Sequence, residues 1–168
     1  MTATTEDARS VFVTGLRNAH ALETEAEQIM KRQLERLTDY PKMTEMLRTH
    51  LQETERQKER IDQILGSMSE STSSIKEGAM SVIGNLAAMA HAPADDEVLK
   101  NTFADLAFEN YEIAAYKSLL TMAQACGASN AEGLLKQSLQ EEQRMARWID
   151  ENVEDITRQY MTRRSTAH

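Results

Sequence analysis

The sequence predicts an all-α fold, a four-helix bundle of two antiparallel hairpins joined by a long crossover that contains a short helix. Three observations carry this. The strong helix formers Ala, Leu, Met, Glu, Gln, Lys and Arg dominate the 168 residues. Only two prolines and six glycines interrupt them, and β-branched runs are scarce. Apolar residues recur in steps of mainly three and four along four long segments, the period of a helix with one buried face. A chain of this length makes one ordinary domain with a real core. That domain is expected over 1–161, with 162–168 a frayed, disordered tail.

The first helix is expected from about Glu6 to Leu37, with Phe12, Leu16, Ala19, Ala26, Met30 and Leu37 as its stripe. Position 23 falls on that stripe and is Glu. Asp39-Tyr40-Pro41 ends the helix, since a proline disfavours helical backbone in the residue before it. The second helix is expected from about Lys42 to Met68, its inward face reading Met43, Met46, His50, Glu53, Gln57, Ile61 and Ile64. Gly66 to Ser74 is a serine-rich break. Ser74 is placed to cap a short helix over 75–89, which His91-Ala92-Pro93 closes.

The third helix is expected to start near Asp95 or Asp96, with acids where the helix dipole favours them. Its stripe reads Leu99, Leu106, Glu109, Ile113, Tyr116, Leu120 and Ala123, and Gly127 suits its C-terminal cap. The fourth runs from Ser129 or Asn130 to about Met161, with Leu135, Leu139, Glu142, Met145, Ile149, Val153 and Ile156 inward. The long stretch between the second and third helices is enough to cross the bundle, which is the connection pattern of ferritin-like bundles.

Composition narrows the function classes. Twenty-seven acidic and 19 basic residues leave a net charge of -8, which argues against nucleic acid and an anionic membrane surface. No apolar run approaches the roughly 20 residues of a membrane span. Met1 to Arg9 is polar, without a hydrophobic signal core, and the one cysteine, Cys126, permits no intrachain disulfide. The expectation is a cytoplasmic protein. No phosphate loop, hydrolase nucleophile motif or zinc-finger spacing is present. The ten methionines read as core fillers and Trp148 as packing.

The chemistry lies in the carboxylates. His-x-x-Glu-Thr-Glu occurs twice, at His20 to Glu25 and at His50 to Glu55. Glu23 and Glu53 are thirty residues apart, as are Glu112 and Glu142, and each pair straddles an expected turn. Each Glu is about fifteen residues, or roughly 22 Å, from its turn, so the four can meet in one layer. A lone buried carboxylate takes up a proton or finds a partner. Four in one layer repel, and a pair of divalent cations removes that repulsion.

Imidazole with carboxylate suits iron, manganese or zinc better than calcium. Residues three apart share a helix face, so His20 with Glu23, His50 with Glu53, and Glu109 with Glu112 can each present two groups to one site. His20 and His50 read either as ligands or as outer and surface residues. Gln57 reads as a hydrogen-bond donor to a ligand carboxylate or as core. Tyr111 and Tyr116 read as packing or as support for the site. Glu25, Glu55 and Glu141 read as solvated charges.

Glu109-Asn110-Tyr111-Glu112-Ile113-Ala114-Ala115-Tyr116 resembles the signature of the YciE/YciF-type ferritin-like family. So does His50-Leu51-Gln52-Glu53-Thr54-Glu55-Arg56-Gln57 with Glu59-Arg60-Ile61, and the resemblance spans roughly Phe12 to Trp148. It implies a ferritin-like four-helix bundle, commonly a homodimer, in bacteria and linked to stress responses. It implies a metal site of Glu23, Glu53, Glu112 and Glu142, with His50 and Glu109 as further ligands. Glu53 and Glu142 would bridge two divalent ions, iron first and manganese or zinc by the same donors, and a small oxidant such as peroxide or dioxygen would be the partner.

The chain departs from the ferritin pattern where His follows Glu by three on the second and fourth helices. Arg56 and Met145 stand there instead, Ala146 stands where relatives often carry an acid, and His20 where an aromatic is more usual. The other reading is a non-catalytic helical stress or interaction protein whose acidic layer is protonated or filled by hydrogen bonds.

Overall fold

A computed structural model of the chain describes residues 4–72 and 96–166, so the short helix expected over 75–89 lies outside the described residues. The described residues form four long helices: α1 (Thr5–Leu34), α2 (Pro41–Ser67), α3 (Glu97–Ala125) and α4 (Glu132–Thr166). A 3-10 turn, Ser129–Ala131, leads into α4. The helical bundle expected from the sequence is thus the fold. Helix α1 packs on α2 and α3, and α4 packs on α3 and, more lightly, on α2. Helices α1 and α4 therefore face each other across the bundle.

Local chemistry fixes the ends. Thr4 caps α1: its hydroxyl accepts the Asp7 N–H at 3.1 Å, and the Asp7 carboxylate takes the Thr4 N–H at 3.2 Å. This reciprocal pair satisfies two donors that the first turn leaves free. Pro41 opens α2, where a missing N–H does no harm. Both α2 and α3 end in the two-bond cap that needs one residue of left-handed backbone. In α3 that residue is Gly127 (φ 73), as the sequence predicts, with Ala128 N–H on Ala123 O at 2.8 Å. In α2 it is Ser69 (φ 58), with Glu70 N–H on Leu65 O at 2.9 Å.

Two boundaries differ from expectation. Helix α1 stops at Leu34, although the Leu37 N–H still reaches Gln33 O at 3.0 Å. Helix α4 continues past Met161 to Thr166, because Arg163 is tied back to the α1–α2 turn. Its Nη2 donates to Asp39 O at 2.9 Å, and its guanidinium lies 5.5 Å from the Tyr40 ring centre.

The buried face of α3 is also rotated from its apolar stripe. Leu99, Leu106, Ile113 and Leu120 are only half-buried, while Asn101, Thr102, Asp105, Glu109 and Glu112 are buried. Apolar side chains surround this helix, with Phe103 and Tyr111 exposed, so their pattern could not locate the inward side. Gly15 on α1 permits close approach to α3; a Cβ there would lie 2.9 Å from Leu119 Cδ2.

The apolar core is in two pieces. One gathers Leu22, Ala26, Met30, Met43, Leu47, Phe108, Met145 and Ile149 around the α1–α2 turn. The other gathers Phe12, Leu16, Ile61, Leu65, Tyr116, Leu119, Ala123 and Leu135 at the opposite end. Between them, on every helix, lies a polar layer.

Candidate metal centre

Each helix contributes to that layer from the middle of its length: Glu23 from α1, His50 and Gln57 from α2, Glu109 and Glu112 from α3, Glu141 and Glu142 from α4. All seven are buried, with Glu142 and Gln57 at 0% exposure. His50, Glu109, Glu112 and Glu142 each offer a donor atom, and these four atoms lie within 4.8 Å of one another. His50 Nε2 is 3.2 Å from Glu109 Oε2 and 3.6 Å from Glu142 Oε2. On the other side of the ring, His50 Nδ1 is 3.2 Å from Glu53 Oε2. Glu23 is joined through Tyr116, whose hydroxyl donates to Glu23 Oε1 at 2.5 Å.

Five of the six residues expected at a metal site are therefore buried in one layer. The sixth, Glu53, is half-buried at its margin, where its Oε1 accepts Arg144 Nη2 at 2.8 Å. His20, the weaker histidine, is outside the layer: its Nε2 faces Asp62 at 3.7 Å, half-buried. Tyr111 is exposed, while Tyr116 reaches into the site. Gln57 is both core and donor, with its amide on Glu142 Oε1 and on Glu141 Oε2 at 3.1 Å.

The reading of Glu141 as a solvated charge is corrected. It is buried, and Arg60 grips both its oxygens at 2.5 and 2.8 Å. Asp105 and Gln33 were not anticipated either. They are buried and bonded, with Gln33 Nε2 donating to Asp105 Oδ1 at 2.8 Å. A signal existed for both pairs: Arg60 adjoins Ile61 on the inward face of α2, and Asp105 lies four residues before Glu109.

The electrostatics follow from crowding. Burial pushes the Glu23 carboxyl well above the usual range, and Glu142 adds to it. Burial does the same at Glu112, with Glu142, Glu23 and Glu109 reinforcing it. Burial also raises Glu142, against the pull of His50. At His50, burial opposes the charged ring, but Glu109 and Glu142 overcome it and hold the imidazole well above its ordinary value. Glu53 is shifted down: burial opposes its charge, but His50 and Arg144 outweigh that. Desolvation lowers His20 despite Asp62.

In this layer Glu23 Oε2, Gln57 Oε1, Glu112 Oε1 and Glu142 Oε2 are buried without a hydrogen-bond partner, and Glu109 Oε2 has only the His50 ring beside it. An unsatisfied buried acceptor costs about 1–3 kcal/mol, more when charged. The layer thus gathers more carboxylates than His50 alone can neutralise, and burial and crowding favour protons on them. One imidazole and several carboxylates are a donor set that fits divalent transition ions. In the di-iron and di-manganese bundles such carboxylates project inward from all four helices.

Over residues 7–162 the chain matches the family described as a domain of unknown function, DUF892. It is 33% identical over 143 residues to protein YciF of Escherichia coli K12, covering 79% of this chain and 81% of that protein. Among solved structures, a protein from Xanthomonas campestris pv. campestris superposes with a TM-score of 0.78 at 28% identity. That match covers 94% of this chain and 99% of the other. The E. coli stress protein YciF superposes with a TM-score of 0.77, also at 28% identity and with the same coverage. No described helix is long and apolar enough to cross a membrane.

Proposed function

Because the chain belongs to the DUF892 family and resembles the E. coli stress protein YciF over most of its length, we propose that it is a ferritin-like di-metal carboxylate protein. It serves a bacterial stress response in the cytoplasm, handling peroxide, dioxygen or the metal itself. The observation that supports this most is the buried layer in which His50, Glu109, Glu112 and Glu142 bring four ligand atoms within 4.8 Å of one another. Glu23, Glu109, Glu112, Glu142 and His50 would hold a pair of divalent ions, iron first and manganese or zinc by the same donors. Glu53, at the other nitrogen of His50, is the sixth candidate ligand. A reduced iron or manganese pair supplies electrons for a small oxidant.

The rest is done by the chain. Its carboxyls hold protons that an entering cation displaces, so binding strengthens as pH rises. The two apolar clusters above and below exclude water from the layer. The homodimer that the family resemblance implies belongs to the same reading.

A second reading is favoured by His50. Its imidazole, held charged by Glu109 and Glu142, neutralises part of the layer without any metal. A non-catalytic helical stress or interaction protein is built on that balance. The two readings separate on the variants Glu112→Gln and Glu142→Gln. Under the di-metal reading each loses at least half of the iron or manganese bound per chain after anaerobic loading, while remaining folded. Metal content equal to wild type in both would sink it.

A further inference from the structure

Two neutral donors, Tyr116 and Gln57, treat opposite walls of the carboxylate layer alike. On α1, Glu23 Oε1 accepts the Tyr116 hydroxyl, while Glu23 Oε2 is buried without a partner. On α4, Glu142 Oε1 accepts the Gln57 amide, while Glu142 Oε2 is buried without a partner and faces His50. In each case a neutral donor from a neighbouring helix ties one oxygen and leaves the other.

Gln57 is itself held in place. An amide nitrogen carries two hydrogens, and this one serves Glu142 and Glu141 together. The reverse orientation would set the amide oxygen against two carboxylates. Glu141 is gripped by both Arg60 nitrogens, and Arg60 Nη1 also donates to Ser138 Oγ at 3.0 Å. Arg60 is 8% exposed and Glu141 4%. Buried ion pairs of this kind are often no more stable than apolar side chains of similar volume, so stability does not explain one here. What this pair does is fix the acceptor that orients Gln57.

We propose that Tyr116, Gln57, Glu141 and Arg60 are positioning residues that make Glu23 and Glu142 one-oxygen ligands. Oε1 of each is withheld by its donor and Oε2 is offered to the cation, so Glu142 would not bridge two ions through both oxygens as the resemblance implies. A carboxylate bound through one oxygen takes one coordination position, not two. The inference rests on the metal reading above, and its test separates the two.

The probe is manganese(II), titrated calorimetrically into the full chain under anaerobic conditions. The variants are Gln57→Met, Tyr116→Phe and the paired swap Arg60→Met with Glu141→Leu, each also melted metal-free. Partners of this kind are worth roughly 10–100-fold in metal affinity. All three should weaken manganese binding by that factor, with the metal-free melting temperature of Tyr116→Phe and the paired swap within a few degrees of wild type. A purely structural role predicts the opposite split, a lower melting temperature with unchanged affinity, and that result overturns the proposal. If Gln57→Met fails to fold, Tyr116→Phe and the paired swap decide. No manganese on the wild-type chain overturns the metal reading and this inference with it; equal affinity in wild type and variants overturns this inference alone.

Discussion

At position 105 a carboxyl lies in the interior with one oxygen on Gln33 and the other unpartnered. Burial lifts its pKa from 3.8 to about 7, with Gln33 and His50 opposing only in part. The sign of the consequence is fixed by linkage. Between about pH 4 and pH 7 the folded chain keeps this proton while the unfolded chain has lost it. Stability therefore falls as pH rises through that window and is flat above it. Each tenfold change in proton affinity is worth roughly 1.4 kcal/mol, so the whole step amounts to a few kcal/mol. Asp105→Asn should remove it: denaturant melts should show the variant more stable than wild type at pH 8, with the gap closing by pH 4. A gap independent of pH would contradict this account.

The same residue marks what the sequence could reveal at this scale. Glu23, Glu112 and Glu142 were legible because each interrupts or adjoins an apolar stripe at matched spacing. Asp105 and Glu141 had only a weak local cue, Asp105 four residues before Glu109 and Arg60 beside Ile61, because the partner that marks a buried acid is distant in sequence. Gln33 and Arg60 lie 72 and 81 residues away along the chain.

At the scale of elements, the inward faces of α1, α2 and α4 were legible and that of α3 was not. Pro41 and Gly127 announce a start and a stop by chemistry confined to one residue. The inward face of α3 depends instead on its neighbours. Its buried line is largely polar because the site occupies it, so the apolar stripe ran along the flank toward α4. The C-terminal caps supply a direct check. Ser69 holds the left-handed backbone that costs a residue with a Cβ about 1 kcal/mol. Ser69→Gly should raise stability by about that amount, and Gly127→Ala should lower it by as much. No atom lies within 4 Å of an added Cβ at Gly127, so the whole effect there is backbone strain. Thermal melts of the two variants shifting in the same direction would refute the assignment of both caps.

On the scale of the whole molecule, the bundle is two apolar clusters separated by a layer of carboxylates. The folded state carries repulsion and unpartnered oxygens at its centre, and a cation bound only by that state removes both. Metal must then raise apparent stability, by about 2.7 kcal/mol at one hundred times the dissociation constant. The bundle itself was legible from helix formers, stripe and turns. Its central layer was legible because four interruptions of the stripe fall at one height. Gln57 was legible as a donor to a ligand carboxylate or as core, whereas the tie of Arg60 to Glu141 behind it was not, because it depends on a contact between α2 and α4.

The claim that this layer is a metal centre is tested most directly by the metal content of protein purified without chelator or affinity metal, expressed per chain. The account predicts about two iron or manganese ions per chain, as in other di-metal carboxylate bundles. Protein that carries none, and takes up none after anaerobic addition of ferrous iron, would contradict it and leave a helical bundle whose acidic layer is neutralised by protons and His50.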